Sequence, residues 1–161
     1  TFISASEKTM HDRIENQYLN RSTPTATARL IETFFENRLF ASKYKKFLIR
    51  IMTETSTGQD KLKGLLPPDC TVGHKTGSSD RTSTGVKIAD NDAGFVLTPD
   101  GKRYYIAVFV SDSQEDDPTN ASIIARISAI VYDFMIRPTD PNRPTLCRPE
   151  SVSADDAAGI P

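Results

Sequence analysis

The stretch richest in chemistry is Val72-Gly73-His74-Lys75-Thr76-Gly77-Ser78-Ser79. It begins as a β-strand and runs into Lys-Thr-Gly, and alternate side chains of an extended strand point to opposite faces. Lys75 and Gly77 then share one face and Thr76 takes the other, unless the strand twists there. Gly77 lets a ligand approach the backbone closely. A substrate carboxylate would meet the Lys75 ammonium and the hydroxyl of Thr76 or Ser78. A free N–H just beyond Gly77 would point at a developing oxyanion. This layout suits an anionic acyl substrate. A Lys-Thr-Gly triplet recurs by chance, however, so the rest of the chain must agree with it.

Other reactive types are sparse. The two histidines, His11 and His74, are far apart in sequence, as are Cys70 and Cys147, and neither HExxH nor CxxC occurs. The sequence therefore points to no metal site, no disulfide framework and no cofactor. Ser42-Lys43-Tyr44-Lys45 matches Ser-x-x-Lys, but a serine opening a helix reads more simply as a cap than as a nucleophile. Asn20-Arg21-Ser22 and Asn120-Ala121-Ser122 match a glycosylation pattern too short to carry weight.

The 161 residues suffice for one domain with a core, and 37% apolar with 25% charged residues is a globular composition. A net charge of −1 gives no electrostatic case for nucleic acid or an anionic membrane surface. No apolar run reads as a bilayer span, and Thr1-Phe2-Ile3-Ser4 has no signal-peptide character. The first residue is not Met, so the N-terminus is expected to be a cut end.

Residues 1–23 read as a short strand at Phe2 and Ile3, then a long polar loop. Ser22 or Thr23 before Pro24 marks a helix start, with Leu30, Ile31, Phe34 and Phe35 on one face and an end near Phe40. A second helix from Ser42 carries Tyr44, Phe47, Leu48, Ile51 and Met52 as core positions. Together these helices cover 24–55. A connector, 59–68, tucks Leu62, Leu65 and Leu66 inward. Strands are expected over 70–75, 92–98 and 103–111, the last two joined by the Pro99-Asp100-Gly101 turn; residues 70–111 thus form an antiparallel meander. A final helix, 118–136, presents Ile123, Ile124, Ile127, Ile130, Val131, Phe134 and Met135 to one sheet face. The fold class is α+β, an antiparallel sheet flanked by helices, occupying 1–136. The proline-rich 137–161 reads as a disordered tail.

From about Phe2 to Phe134 the chain resembles the C-terminal half of a class A serine β-lactamase. The resemblance lies in the order of a Glu7-bearing loop, two helices, Thr57-Gly58, the Lys75-Thr76-Gly77 strand, a hairpin and a long helix. Ser6-Glu7-Lys8-Thr9-Met10-His11-Asp12 is similar to the Ω-loop of the divergent branch in which that loop is enlarged, and Asn91-Asp92 before an apolar strand and Ala107-Val108-Phe109-Val110 also resemble that branch. The resemblance implies that Glu7 activates the deacylating water, with His11 orienting Glu7 or the loop. It implies that Lys75, Thr76 and the Ser78 hydroxyl bind the substrate carboxylate along a strand that includes Gly77 and Ser79. The Ser78 N–H would be one of two oxyanion donors, and Lys61 would stand where many members place an arginine near that carboxylate. His74 is expected to be structural. The implied fold is the serine β-lactamase/transpeptidase type, incomplete at the N-terminus, and the implied location periplasmic or secreted.

The departures are equally specific. The family's Ser-x-x-Lys nucleophile and Ser-Asp-Asn loop lie upstream of the glutamate, and the chain is expected to begin too late to contain them. Three readings follow: a β-lactamase polypeptide whose nucleophile is on a missing N-terminal half, a penicillin-binding peptidase fragment, and a non-catalytic remnant that binds or packs against another chain. Glu7 favours the first, because peptidases of this kind lack the deacylating carboxylate.

Overall fold

The computed structural model describes residues 1–36 and 41–136. The expected helix end near Phe40 and the 137–161 tail lie outside the described residues. The elements run in the order α1 (Glu7–Asp12), a 3-10 helix (Ile14–Tyr18), α2 (Pro24–Glu36), α3 (Ser42–Thr53), β1 (Thr71–Ser78), β2 (Lys87–Leu97), β3 (Arg103–Ser113) and α4 (Asp117–Ile136). The strands form one antiparallel sheet of order β1-β2-β3, in which Thr76 faces Asp92 and Gly77 faces Asn91 across β1 and β2.

Strand alternation assigns the two faces. Val72, Val96, Tyr104, Ile106 and Val108 meet Ile124 of α4 and Leu62 of the connector in the core. On the other face Phe35 of α2 packs its ring 4.4 Å from Phe95 and 5.9 Å from Tyr105. Gly73 makes room for that contact: a Cβ there would lie 2.2 Å from the Phe95 ring. A Thr23 side-chain cap starts α2, accepting from Ala26 N at 3.1 Å, a contact worth about 1 kcal/mol. The Glu36 carboxylate then accepts from the Tyr105 hydroxyl at 2.6 Å and meets Arg103 at 2.8 Å, fastening the end of α2 to β3.

Several expectations need correction. The segment after Phe2 and Ile3 is not an unstructured loop: Ser6 caps α1, its hydroxyl accepting from Thr9 N, and the 3-10 helix follows, while Phe2 pairs in a β-bridge with Arg21. Ser6 with acidic Glu7 in the first turn is a helix-start signal that outweighs the missing period. Ser42 is the first residue of α3 rather than its cap, which is Ala41 with no side-chain hydrogen bond. Leu65 is exposed rather than tucked in. β1 extends three residues further than expected and β2 begins five earlier, because Asp90 is a buried strand residue in a polar contact instead of a loop residue.

The apolar stripes are only partly covered. Tyr44, Phe47 and Ile51, expected in the core, are exposed, as is Leu30, and α3 has no buried residue. α4 buries Asn120, Ala121, Ile124, Ala125 and Ser128. Ile123, Ile127, Ile130 and Phe134, at helical spacing, form a second stripe that stays in solvent. By length and composition α4 could also cross a membrane. Here it lies on the sheet, with the Ser128 hydroxyl donating to Leu62 O at 2.8 Å.

Candidate functional site

β1 is an edge strand, so one row of its backbone groups faces away from the sheet. Ser79 N donates to Ala89 O at 2.9 Å. Antiparallel alternation then turns the Ser78 N–H outward from the free edge. Lys75 and Gly77 share the sheet face of Phe95, opposite the face of α4. A Cβ on Gly77 would meet nothing closer than Asn91 Cβ at 3.9 Å, so this glycine keeps the space before the strand clear. The Lys75 ammonium is exposed and donates to the Thr76 carbonyl.

A cleft of ≈ 580 Å³ separates this edge from α1. Seven of the eight expected site residues line it: Glu7 and His11 on one side, Lys75, Thr76, Gly77, Ser78 and Ser79 on the other. His11 Nε2 is 3.3 Å from Glu7 Oε1, one helical turn away, and both side chains are well exposed. This places a carboxylate able to hold water opposite a cation, hydroxyls and an outward N–H. Among the described residues no cluster able to hold a metal ion is found.

Lys61 is the exception. Its ammonium is buried against Asp90 at 2.5 Å, outside the residues lining the cleft. A lysine can be buried this way only with its charge paired, and Asp90 supplies that pairing from behind the strand. Ser42 is also away from the cleft, on α3. His74, expected to be structural, is fully buried, with Nδ1 2.8 Å from Asp92. Asp92 also accepts from Leu62 N at 3.2 Å.

Thr76 faces this buried layer and is fixed from the side: its hydroxyl lies 3.1 Å from that of Thr57. Its Cγ2 would be 2.3 Å from a Cβ on Gly58, whose φ of 63° already favours glycine. Sequence reasoning missed Asp90 and Asp92 as a buried pair, although acids two apart in a strand share a face. It also missed Asn20, whose side-chain oxygen accepts from Ser4 N at 2.9 Å and Ala5 N at 3.0 Å and so braces the Glu7 segment. The other glycosylation-like asparagine, Asn120, is fully buried.

Residues 3–135 match the model of the β-lactamase enzyme family. The chain belongs to that family. It is 56% identical over 134 residues to a β-lactamase of Bacteroides uniformis, covering 83% of this chain and 45% of that protein. To β-lactamase VEB-1 of Pseudomonas aeruginosa it is 40% identical, again over 83% of this chain and 45% of the relative. A crystal structure of a class A β-lactamase representative from Bacteroides cellulosilyticus superposes with a TM-score of 0.80 at 58% identity, covering 83% of this chain and 48% of that one. This β-lactamase-family chain thus has the class A fold over the part present, and it spans a little under half the length of the curated relatives it matches.

Proposed function

We propose that this chain supplies the deacylation base and the substrate-binding strand of a serine β-lactamase, with the acylated serine on polypeptide outside these 161 residues. The observation that carries the reading is the shared cleft: Glu7 and His11 face Lys75, Thr76, Gly77, Ser78 and Ser79 across one opening. The β-lactam carboxylate binds the Lys75 ammonium and the hydroxyls of Thr76 and Ser78. Its carbonyl oxygen lies off the free edge of β1, where the Ser78 N–H stabilises the charge that develops on it. A serine from the complementing segment forms the acyl-enzyme, and Glu7 takes a proton from the water that hydrolyses it. Lys61 holds the strand from behind through Asp90 instead of contacting substrate. The exposed stripes of α3 and α4 are the faces on which the complementing N-terminal half packs. The completed enzyme works in the periplasm or outside the cell, where β-lactams are met.

The test completes the enzyme. Residues 1–161 are fused behind the part of the Bacteroides uniformis β-lactamase that precedes the matched stretch. Turnover of a chromogenic cephalosporin is expected from the fusion and not from residues 1–161 alone. In the fusion, Glu7→Gln should accumulate a covalent penicilloyl adduct visible by mass spectrometry. Lys75→Ala should give little adduct at short times. Hydrolysis by the isolated chain, or a Glu7→Gln fusion that turns over like its parent, would overturn the assignment. A fusion that folds cooperatively without turnover would favour the non-catalytic reading.

A further inference from the structure

The element that carries Glu7 has little of its own to hold it in place. α1 is six residues long and buries none of them. Within the segment, Asn20 grips Ser4 and Ala5, and Asn16 Nδ2 donates to Thr9 O at 2.8 Å. These bonds shape the loop without fixing it to the sheet.

From α1 itself His11 Nδ1 comes to 3.6 Å from Asp80 Oδ2, and two neighbouring residues of the 3-10 helix make the hydrogen-bonded connections. Gln17 forms a reciprocal pair with Asp80, just past the end of β1: its Nε2 donates to Asp80 Oδ2 at 2.9 Å and its Oε1 accepts from Asp80 N at 3.1 Å. The Tyr18 hydroxyl donates to Asp112 Oδ1 at 2.5 Å, near the end of β3. In a 3-10 helix adjacent side chains project a third of a turn apart, so one short element reaches both outer strands. Asp112 is the only non-glycine with positive φ among the described residues, at 51°. Aspartate tolerates this region better than most residues, and an outlier of this kind is a reason to look for a role.

We propose that Gln17 and Tyr18 are positioning residues: they dock the Glu7 segment on both outer strands and so set the distance between the water-activating carboxylate and the β1 edge. This rests on the functional reading above. Neither residue need touch substrate. Losing the tethers should leave acylation intact, since Lys75, Thr76 and Ser78 are on β1, and slow the step that needs Glu7.

The experiment has two independent readouts. The first is hydrogen exchange in residues 1–161, parent against Gln17→Ala/Tyr18→Phe. Amides of residues 6–20 should exchange about tenfold faster while those of β2 and β3 are unchanged. Asp80→Asn and Asp112→Asn keep an acceptor oxygen and should stay within about threefold of the parent. Unchanged exchange in residues 6–20 of the double variant, or asparagine variants as fast as it, overturns the tether. The second readout is the fusion enzyme carrying Gln17→Ala/Tyr18→Phe. A fall in kcat of about tenfold is expected, with trapped acyl-enzyme and an acylation rate within about threefold of the parent. Equal losses in both steps overturn the positioning role. A parent fusion without turnover overturns the functional reading alone, and exchange then decides whether the tether exists.

Discussion

The cleft side of β1 is exposed and its back is buried, so neighbouring residues have different energetics. Lys75 faces solvent, and on the function proposed above its replacement by alanine removes a charge-assisted contact to substrate. In the fusion enzyme that should cost about 2 kcal/mol of transition-state stabilisation, or ~30-fold in kcat/KM. Lys61 and Asp90 are buried and paired at 2.5 Å. Removing one partner leaves the other charge uncompensated, so Asp90→Ala should lower unfolding stability by about 3–5 kcal/mol. Lys61→Met/Asp90→Leu removes both charges and should recover most of that loss. Urea unfolding of the fusion enzyme measures both. A double variant no more stable than Asp90→Ala would mean the pair does more than cancel its own burial cost. This contrast was only half legible in the sequence. The Lys-Thr-Gly signal located the exposed side, because its residue types carry the chemistry. Lys61 was misplaced because a cation reads the same whether it faces a ligand or a buried carboxylate. The deciding residue, Asp90, is distant in sequence and lies in a strand whose start was set too late.

At the scale of elements, periodicity found every strand and the three longer helices, and misjudged which faces are covered. Period reports that a helix has an apolar stripe; whether a neighbour covers it depends on polypeptide elsewhere. α1 and the 3-10 helix were missed because they are held by the Ser6 cap and by side-chain hydrogen bonds and bury no residue that would make a pattern. The α2–β3 contact is a further case of side-chain chemistry joining elements, and it carries a pH dependence. The Tyr105 hydroxyl, and then Arg103, hold the Glu36 carboxyl below its ordinary value. Tyr105 is itself pushed up, first by burial and then by that hydrogen bond. A depressed carboxylate contributes stability that is present above the ordinary value near 4.5 and is lost as pH falls through the lowered one. The raised tyrosine loses its contribution only in strong alkali. The contact should therefore hold through neutral pH and loosen in acid. Exchange of α2 amides should quicken below about pH 4.5 in the parent. In Glu36→Gln, which cannot titrate, it should be flat with pH apart from the intrinsic exchange rate. An equal acid response in both proteins would place the acid-sensitive group elsewhere.

For the whole molecule, the question is what the uncovered surface implies about the chain by itself. Its sheet has three strands, with free edges on β1 and β3 among the described residues. Ile130 is 68% exposed, Tyr44 58% and Phe47 53%, with Ile123, Ile127 and Phe134 alongside Ile130 on α4. Monomeric proteins rarely leave contiguous stripes of this kind in water, and an open sheet edge beside them invites pairing. The class A relatives are about twice as long as the matched stretch, which provides enough chain to cover both helices and to pair with β3. Residues 1–161 alone should therefore bind a hydrophobic dye and elute from a sizing column larger than a monomer. Fusion to the preceding half of the Bacteroides uniformis relative should abolish both. Ile127→Lys/Ile130→Lys separates the causes. On the isolated chain it should reduce dye binding and association, because it breaks the exposed α4 stripe at no cost to the buried one. In the fusion it should lower the melting midpoint by burying unpaired charge. If these lysines are tolerated in the fusion as well as in the isolated chain, the α4 stripe is a surface in the fusion too, and the fused half must pack on α3 and the β3 edge instead.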